Sequence, residues 1–114
     1  MLQRPRRNRS SAGVRGLVRD THLSAANLVL PLFVQEGDGE TAIRSMPGHA
    51  RLGIPRLVDK AGEAFGLGVP AVALFPALGD DVKDPRGSES TNPEGLLQRS
   101  VRAHKQALPE LLVI

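Results

Sequence analysis

The sequence predicts an α/β fold built around a parallel sheet, and three observations carry that reading. Val69–Pro76 is a short, uncharged apolar run, Leu28–Val34 is a second, and Glu110–Ile114 opens a third. Runs of this length that are apolar throughout read as strands buried on both faces. Between them lie two stretches with apolar residues at helical spacing, and strand and helix patterns that alternate indicate parallel βα units.

Composition narrows the function classes. Apolar residues make up 40% of the 114, and aromatics 3%, with three Phe and no Trp or Tyr. The core is therefore Leu, Val and Ala, and stacking platforms for bases or sugars are nearly absent. With no Cys, a disulfide framework and a thiolate metal site within this chain are excluded. No apolar run approaches the roughly 20 residues of a membrane span. The basic N-terminus is not followed by the apolar stretch of a signal peptide. The expectation is a cytoplasmic protein with no membrane partner.

The charge is uneven. Arg4, Arg6, Arg7, Arg9, Arg15 and Arg19 stand in residues 1–19 without an acid, whereas the remainder holds nine basic and twelve acidic side chains. The basicity belongs to an N-terminal arm and not to the domain. Such an arm can bind phosphates or lie across a neighbouring subunit, its Arg paired with carboxylates. The lack of aromatics and of a nucleic-acid fold signature argues against nucleic acid.

Taken in order, Ser10 or Ser11 caps a short helix over about 12–19, weakened by Gly13 and Gly16. Ser24 caps a single turn at Ala25–Asn27. Leu28–Val34 is the first strand, with Pro31 inside it. Proline cannot donate to a ladder, so the strand is either distorted or free on one side there. The segment from Gln35 to Ile54 is long for a βα connection and contains a turn at Ser45-Met46-Pro47-Gly48. A helix starts at Pro55, with Leu57, Val58, Ala61, Ala64 and Phe65 on one face, and ends at Gly66 and Gly68 through left-handed backbone. After Val69–Pro76 comes a second long loop, Ala77–Thr91, on the side of an α/β sheet where ligands bind. Asp80, Asp81, Lys83, Asp84, Arg86 and Glu89 gather there, and the simpler reading is a solvated loop balancing its own charges. Asn92-Pro93-Glu94 reads as a helix start. Leu97, Val101, His104 and Leu108 then share a face, with His104 as a packed or partly exposed residue and not a ligand. Pro109 stops this helix, and the chain stops inside the third strand, which reads as a truncated chain or a piece of a longer one.

No Gly-rich phosphate loop and no nucleophile elbow occur. His22, His49 and His104 lack metal-ligand spacing. Lys60, Lys83 and Lys105 all lie outside apolar strand ends, where desolvation would suit a lysine to Schiff-base chemistry. The residues by themselves reach an incomplete parallel α/β sheet, not a reaction.

Read together, the motifs resemble the N-terminal third of the porphobilinogen synthase (5-aminolevulinate dehydratase) family. The likeness rests on Arg4-Pro-Arg-Arg, Leu30-Pro-Leu-Phe-Val34, Ser45-Met-Pro-Gly48 before Arg51-Leu52, and Gly68-Val-Pro-Ala-Val-Ala-Leu-Phe-Pro76. It continues through Lys83-Asp84, Gly87-Ser-Glu89, Asn92-Pro93, Gln98-Arg99 and Pro109-Glu-Leu-Leu-Val-Ile114. The resemblance implies the N-terminal portion of a (β/α)₈ barrel: residues 1–24 a basic arm with a short helix, and 25–114 the first strands and helices, cut in the third strand. It implies an enzyme that condenses two 5-aminolevulinate molecules to porphobilinogen in tetrapyrrole (haem) biosynthesis, through Schiff-base lysines assisted by zinc or magnesium. It also implies a homo-octamer held by arms. In the family the metal-ligand segment and both lysines lie beyond Ile114, so no catalytic, cofactor-binding or metal-binding residue is assigned here. His49-Ala50 departs from the family, which often has Tyr before Arg51, and this bears on a local packing contact. The loop Ala77–Thr91 then faces the active-site mouth, with Asp80, Asp81, Lys83 and Arg86 as candidates to support the site from behind or to gate it, not as catalytic residues. The chain alone is expected to be inactive and aggregation-prone. The alternative is a non-catalytic basic-arm module that binds acidic partners or nucleic acid.

Overall fold

The computed structural model describes residues 6–114, so Arg4 and Pro5 of the first arm motif lie outside the described residues. A 3₁₀ turn at Arg6–Arg9 leads into helix α1, Ala12–Leu17. Ser11 caps it, accepting from Val14 N at 3.2 Å. The helix is two residues shorter than the sequence reading. Leu17 and Leu23 stay exposed along this segment. The radius of gyration is 20.2 Å, against roughly 13 Å for a compact chain of about 100 residues.

Five strands form one sheet in the order β2-β3-β1-β4-β5. They are β1 (Val29–Val34), β2 (Glu40–Ala42), β3 (Ala50–Leu52), β4 (Ala71–Pro76) and β5 (Leu112–Val113). Helix α2 (Ile54–Gly66) precedes β4, and helix α3 (Leu96–Ala107) precedes β5. β1, β4 and β5 are mutually parallel neighbours. They are the three strands expected from the apolar runs, joined by the two expected helices. The expected strand Val69–Pro76 begins two residues later, because Pro70 stays outside β4 and only lends its carbonyl to Leu112 N.

The segment from Gln35 to Ile54 is not a structureless loop. β2 and β3 pair antiparallel across it, and Met46-Pro47-Gly48-His49 makes the turn, with Gly48 at φ +84 and His49 N donating to Met46 O at 3.0 Å. β3 then adds parallel to the end of β1, pairing at Phe33 and Val34 only. This explains Pro31. Ala77 N donates to Val34 O, so Val34, Leu32 and Leu30 turn their main-chain groups toward β4. Gln35 N donates to Leu52 O, so by alternation Phe33 and Pro31 face the other edge. β3 ends short of Pro31, whose missing N–H therefore costs no ladder bond.

The core lies on one side of the sheet. Leu32, Val34, Val72 and Leu74 pack against Leu57 and Ala61 of α2, Leu96 of α3 and Leu111. The expectation that the strands are buried on both faces is corrected here. On the opposite face Val29, Phe75, Leu112 and Ile114 are 49%, 50%, 58% and 65% exposed. Helices cover only one face among the described residues, and the second apolar face is open.

Two helix ends also differ from expectation. α2 closes through Gly68 at φ +88, with Val69 N bonded to Ala64 O and Gly68 N to Phe65 O, the double bond of a glycine-terminated helix. Gly66 is still helical. α3 begins at Leu96 with Gly95 as its cap. Asn92-Pro93-Glu94 forms a separate turn before it, in which Asn92 Oδ1 accepts from Glu94 N at 3.0 Å. Its side chain is spent on that turn and does not cap the helix.

Candidate functional site at the carboxyl end of the sheet

β1 and β4 run parallel, so their carboxyl ends open on the same side, with Gln35–Gly39 following one and Ala77–Gly95 the other. In barrels of βα units this end carries the chemistry. The first loop is packed tightly onto the start of α2: a Cβ at Gly53 would overlap the Gly37 carbonyl and the Asp38 backbone. Gly53 N donates to Gly39 O at 2.9 Å. The loop after β4 is folded into two 3₁₀ turns, Asp80–Val82 and Ser88–Thr91.

The expected charge cluster is brought together only in part. Lys83 Nζ donates to Asp80 Oδ1 at 2.8 Å, and this hydrogen bond and the lysine's charge hold the Asp80 carboxyl below its ordinary range. Asp84 Oδ1 accepts from Arg86 N at 2.8 Å and Ser88 N at 3.1 Å. Ser88 first, through side chain and then backbone, and Arg86 and Gly87 after it, hold the Asp84 carboxyl low. Asp81 and the Arg86 guanidinium join no ion pair among the described residues. The loop thus balances much of its own charge. Beneath it lies a cavity of about 260 Å³ with Pro76, Leu78, Val82 and Leu97 as its apolar lining and Asp84 and Glu89 beside them.

Residues that the sequence analysis used only as a family motif, without a role at this end, hold these loops. Arg99 pairs with Glu36, 63 residues away, and Glu36 holds the guanidinium further above its ordinary range, chiefly through that hydrogen bond. Gln98 Nε2 donates to Ser90 O at 2.7 Å. No period in the sequence could reveal such pairings; only the adjacency of two long polar side chains at a helix start hinted at them.

The three lysines are engaged elsewhere. Lys60 bonds Glu63 one turn on along α2 at 2.8 Å. Lys105 Nζ donates to Pro109 O at 2.6 Å and Leu111 O at 2.9 Å, closing the end of α3. His104 is buried, as expected for a packed residue, with Nδ1 2.7 Å from Ser100 O. A carbonyl only accepts, so Nδ1 carries the proton, and Nε2 is left without a partner among the described residues. His49 takes up the position where the resemblance departs, its ring edge-on to Phe33 at 6.5 Å. Among the described residues no group of three or more His, Asp or Glu is placed to hold a metal ion, so the side chains present do not fit a metal centre. Among the described residues no helix is long and apolar enough to cross a membrane.

The family profile described as Delta-aminolevulinic acid dehydratase matches residues 2–114. The chloroplastic delta-aminolevulinic acid dehydratase of Selaginella martensii is 42% identical over 114 residues, which is 99% of this chain and 27% of that protein. The delta-aminolevulinic acid dehydratase of Chlamydia pneumoniae is 41% identical over 115 residues, 100% of this chain and 35% of that one. The crystal structure of delta-aminolevulinic acid dehydratase (porphobilinogen synthase) from Toxoplasma gondii ME49, in complex with the reaction product porphobilinogen, superposes with a TM-score of 0.91 at 41% identity. It covers 99% of this chain and 32% of that chain. The chain therefore spans about a quarter to a third of the length of these relatives. The resemblance drawn from the motifs is borne out.

Proposed function

The chain belongs to the delta-aminolevulinic acid dehydratase family, and from that premise we propose that it supplies the first βα units of a (β/α)₈ barrel that makes porphobilinogen. The reaction joins two molecules of 5-aminolevulinate with loss of water. The observation that carries this reading is the sheet itself. Three parallel strands are covered by helices on one side and present an apolar face on the other, as strands of a barrel do before the remaining strands enclose its interior.

In this reading the chain's own part is scaffolding and loop placement. The Schiff-base lysines belong to later strands, since Lys60, Lys83 and Lys105 are committed to surface and capping bonds. The family's zinc or magnesium likewise finds its ligands outside this segment, and no step is routed through it here. Residues 1–24 form the assembly arm and 25–114 the barrel segment. Exposed Leu17 and Leu23 among the arginines support an arm that lies on a neighbouring subunit of an octamer. The protein works in the cytoplasm.

The test is a chimera. This chain replaces the matching segment of the Bradyrhizobium diazoefficiens dehydratase, which is 40% identical over 112 residues. The chimera is expected to form porphobilinogen from 5-aminolevulinate, and this chain alone is not. A folded chimera without activity would overturn the reading. Removing residues 1–12 from the active chimera should shift size exclusion toward smaller species; an unchanged octamer would sink the arm assignment.

A further inference from the structure

The first turn of α3 carries two adjacent polar side chains that reach different loops. Gln98 Nε2 donates to the main-chain carbonyls of Ser90 at 2.7 Å and Glu89 at 3.5 Å, both in the loop after β4. Arg99 pairs with Glu36 in the loop after β1, while its Nε donates to Glu94 O at 3.0 Å. The backbone beneath them is crowded: a Cβ at Gly95 would meet Gln98 Oε1 at 2.5 Å and Glu89 Oε1 at 2.7 Å. The helix is fixed behind them by buried Leu96, Ser100 and His104.

Of the other exposed pairs, Lys60–Glu63 and Lys83–Asp80 join residues three apart, Arg102–Glu94 stays at the start of α3, and Arg56–Glu40 ties β2 to the start of α2. Glu36–Arg99 joins two elements that the chain separates by α2 and β4. An exposed ion pair contributes little to global stability. A loop displaced by about 1 Å near reacting groups can cost about a hundredfold in rate.

We propose that Gln98 and Arg99 are positioning residues that tie the loops after β4 and β1 to one rigid helix and hold them in register at the catalytic end. This rests on the proposed function, so the test has one readout that depends on activity and one that does not. Hydrogen exchange in the chimera reads the loops directly. Arg99→Ala should speed exchange of the hydrogen-bonded Gln35 and Gly53 amides at least about fivefold, with Ser90 and Asn92 unchanged. Gln98→Ala should do the reverse. Arg99→Ala should lower kcat about tenfold with a smaller change in KM and an unchanged Tm. Arg99→Lys keeps the charge but not two bonds at once, and should behave alike. Lys60→Ala should change none of these. Wild-type exchange and rate in both alanine variants would overturn the proposal, and so would uniformly faster exchange through α2 and α3. An inactive parent chimera would instead contradict the proposed function, and the exchange pattern would still decide the anchors.

Discussion

The two faces of the sheet are built from the same strands and the same residue types, yet they are in opposite states. Leu32, Val34, Val72 and Leu74 are closed under α2 and α3. Val29, Phe75, Leu112 and Ile114, one residue out of phase, look outward. Phe33 and Phe75 lie in register across β1 and β4 with ring centroids 5.6 Å apart, a cluster on a face with no cover among the described residues. A strand apolar on both sides states that both sides need cover; it does not state that the cover lies within the same hundred residues. Apolar patches of this kind mark surfaces meant for something else to pack on.

The largest expected contrast comes from the same substitution placed on each face. Leu74→Glu puts a carboxylate into the closed core and should cost more than about 3 kcal/mol, read by guanidinium denaturation of the chimera. Phe75→Glu in this chain alone should instead reduce self-association, read by light scattering, because it charges the open face. If both substitutions act alike in this chain, the two faces are not different. Next in size is Leu57→Ala, which removes a fully buried side chain of α2 and should cost about 2–5 kcal/mol in the chimera. Leu112→Ala in this chain alone should stay within about 0.5 kcal/mol. A smaller effect concerns the sheet's edge. Pro31→Ala should change the stability of this chain by less than about 1 kcal/mol, because the missing N–H faces no strand. A loss of several kcal/mol would show that Pro31 supports β1 in some other way.

The smallest effect lies at the carboxyl end, where pH reads the loop after β4. Asp84 has a folded value below its ordinary 3.8. Its contribution is therefore complete above the ordinary carboxylate range and is lost as pH falls through the lowered folded value. Exchange of the Ser88 amide should rise in that acid window while the core amides of α2 stay protected. Asp84→Asn, which cannot be charged, should flatten that response. The same acid response in both proteins would contradict the link.

Much of this architecture was legible from local pattern. Period and caps placed β1, α2, β4, the Pro47-Gly48 turn and the Ser24 turn, because each is specified by residues within a few positions. The motifs carried the family, and through it the identity of the sheet. What stayed hidden is non-local. Glu40-Thr41-Ala42 and Ala50-Arg51-Leu52 have too few residues to show alternation, and they become strands only by pairing with each other and with β1. Asn92-Pro93 carries the residues of a helix start, but its side chain closes an earlier turn, so α3 waits for Gly95. The Glu36–Arg99 tie spans 63 positions, a distance over which sequence spacing carries no signal. No catalytic residue was expected within the segment.

One face of this sheet is finished within the chain, and we propose that the other is completed by the rest of a barrel. The chain has no cysteine, so single thiols report on each face. Leu74→Cys and Phe75→Cys would be labelled with a small alkylating reagent in this chain and in the chimera, with the modified peptide identified by mass. Labelled at a dilution where this chain does not self-associate, Phe75→Cys should react at the rate of a free thiol in this chain and at least about tenfold more slowly in the chimera, while Leu74→Cys is slow in both. A Phe75→Cys that is slow in this chain, or equally fast in the chimera, would contradict that proposal.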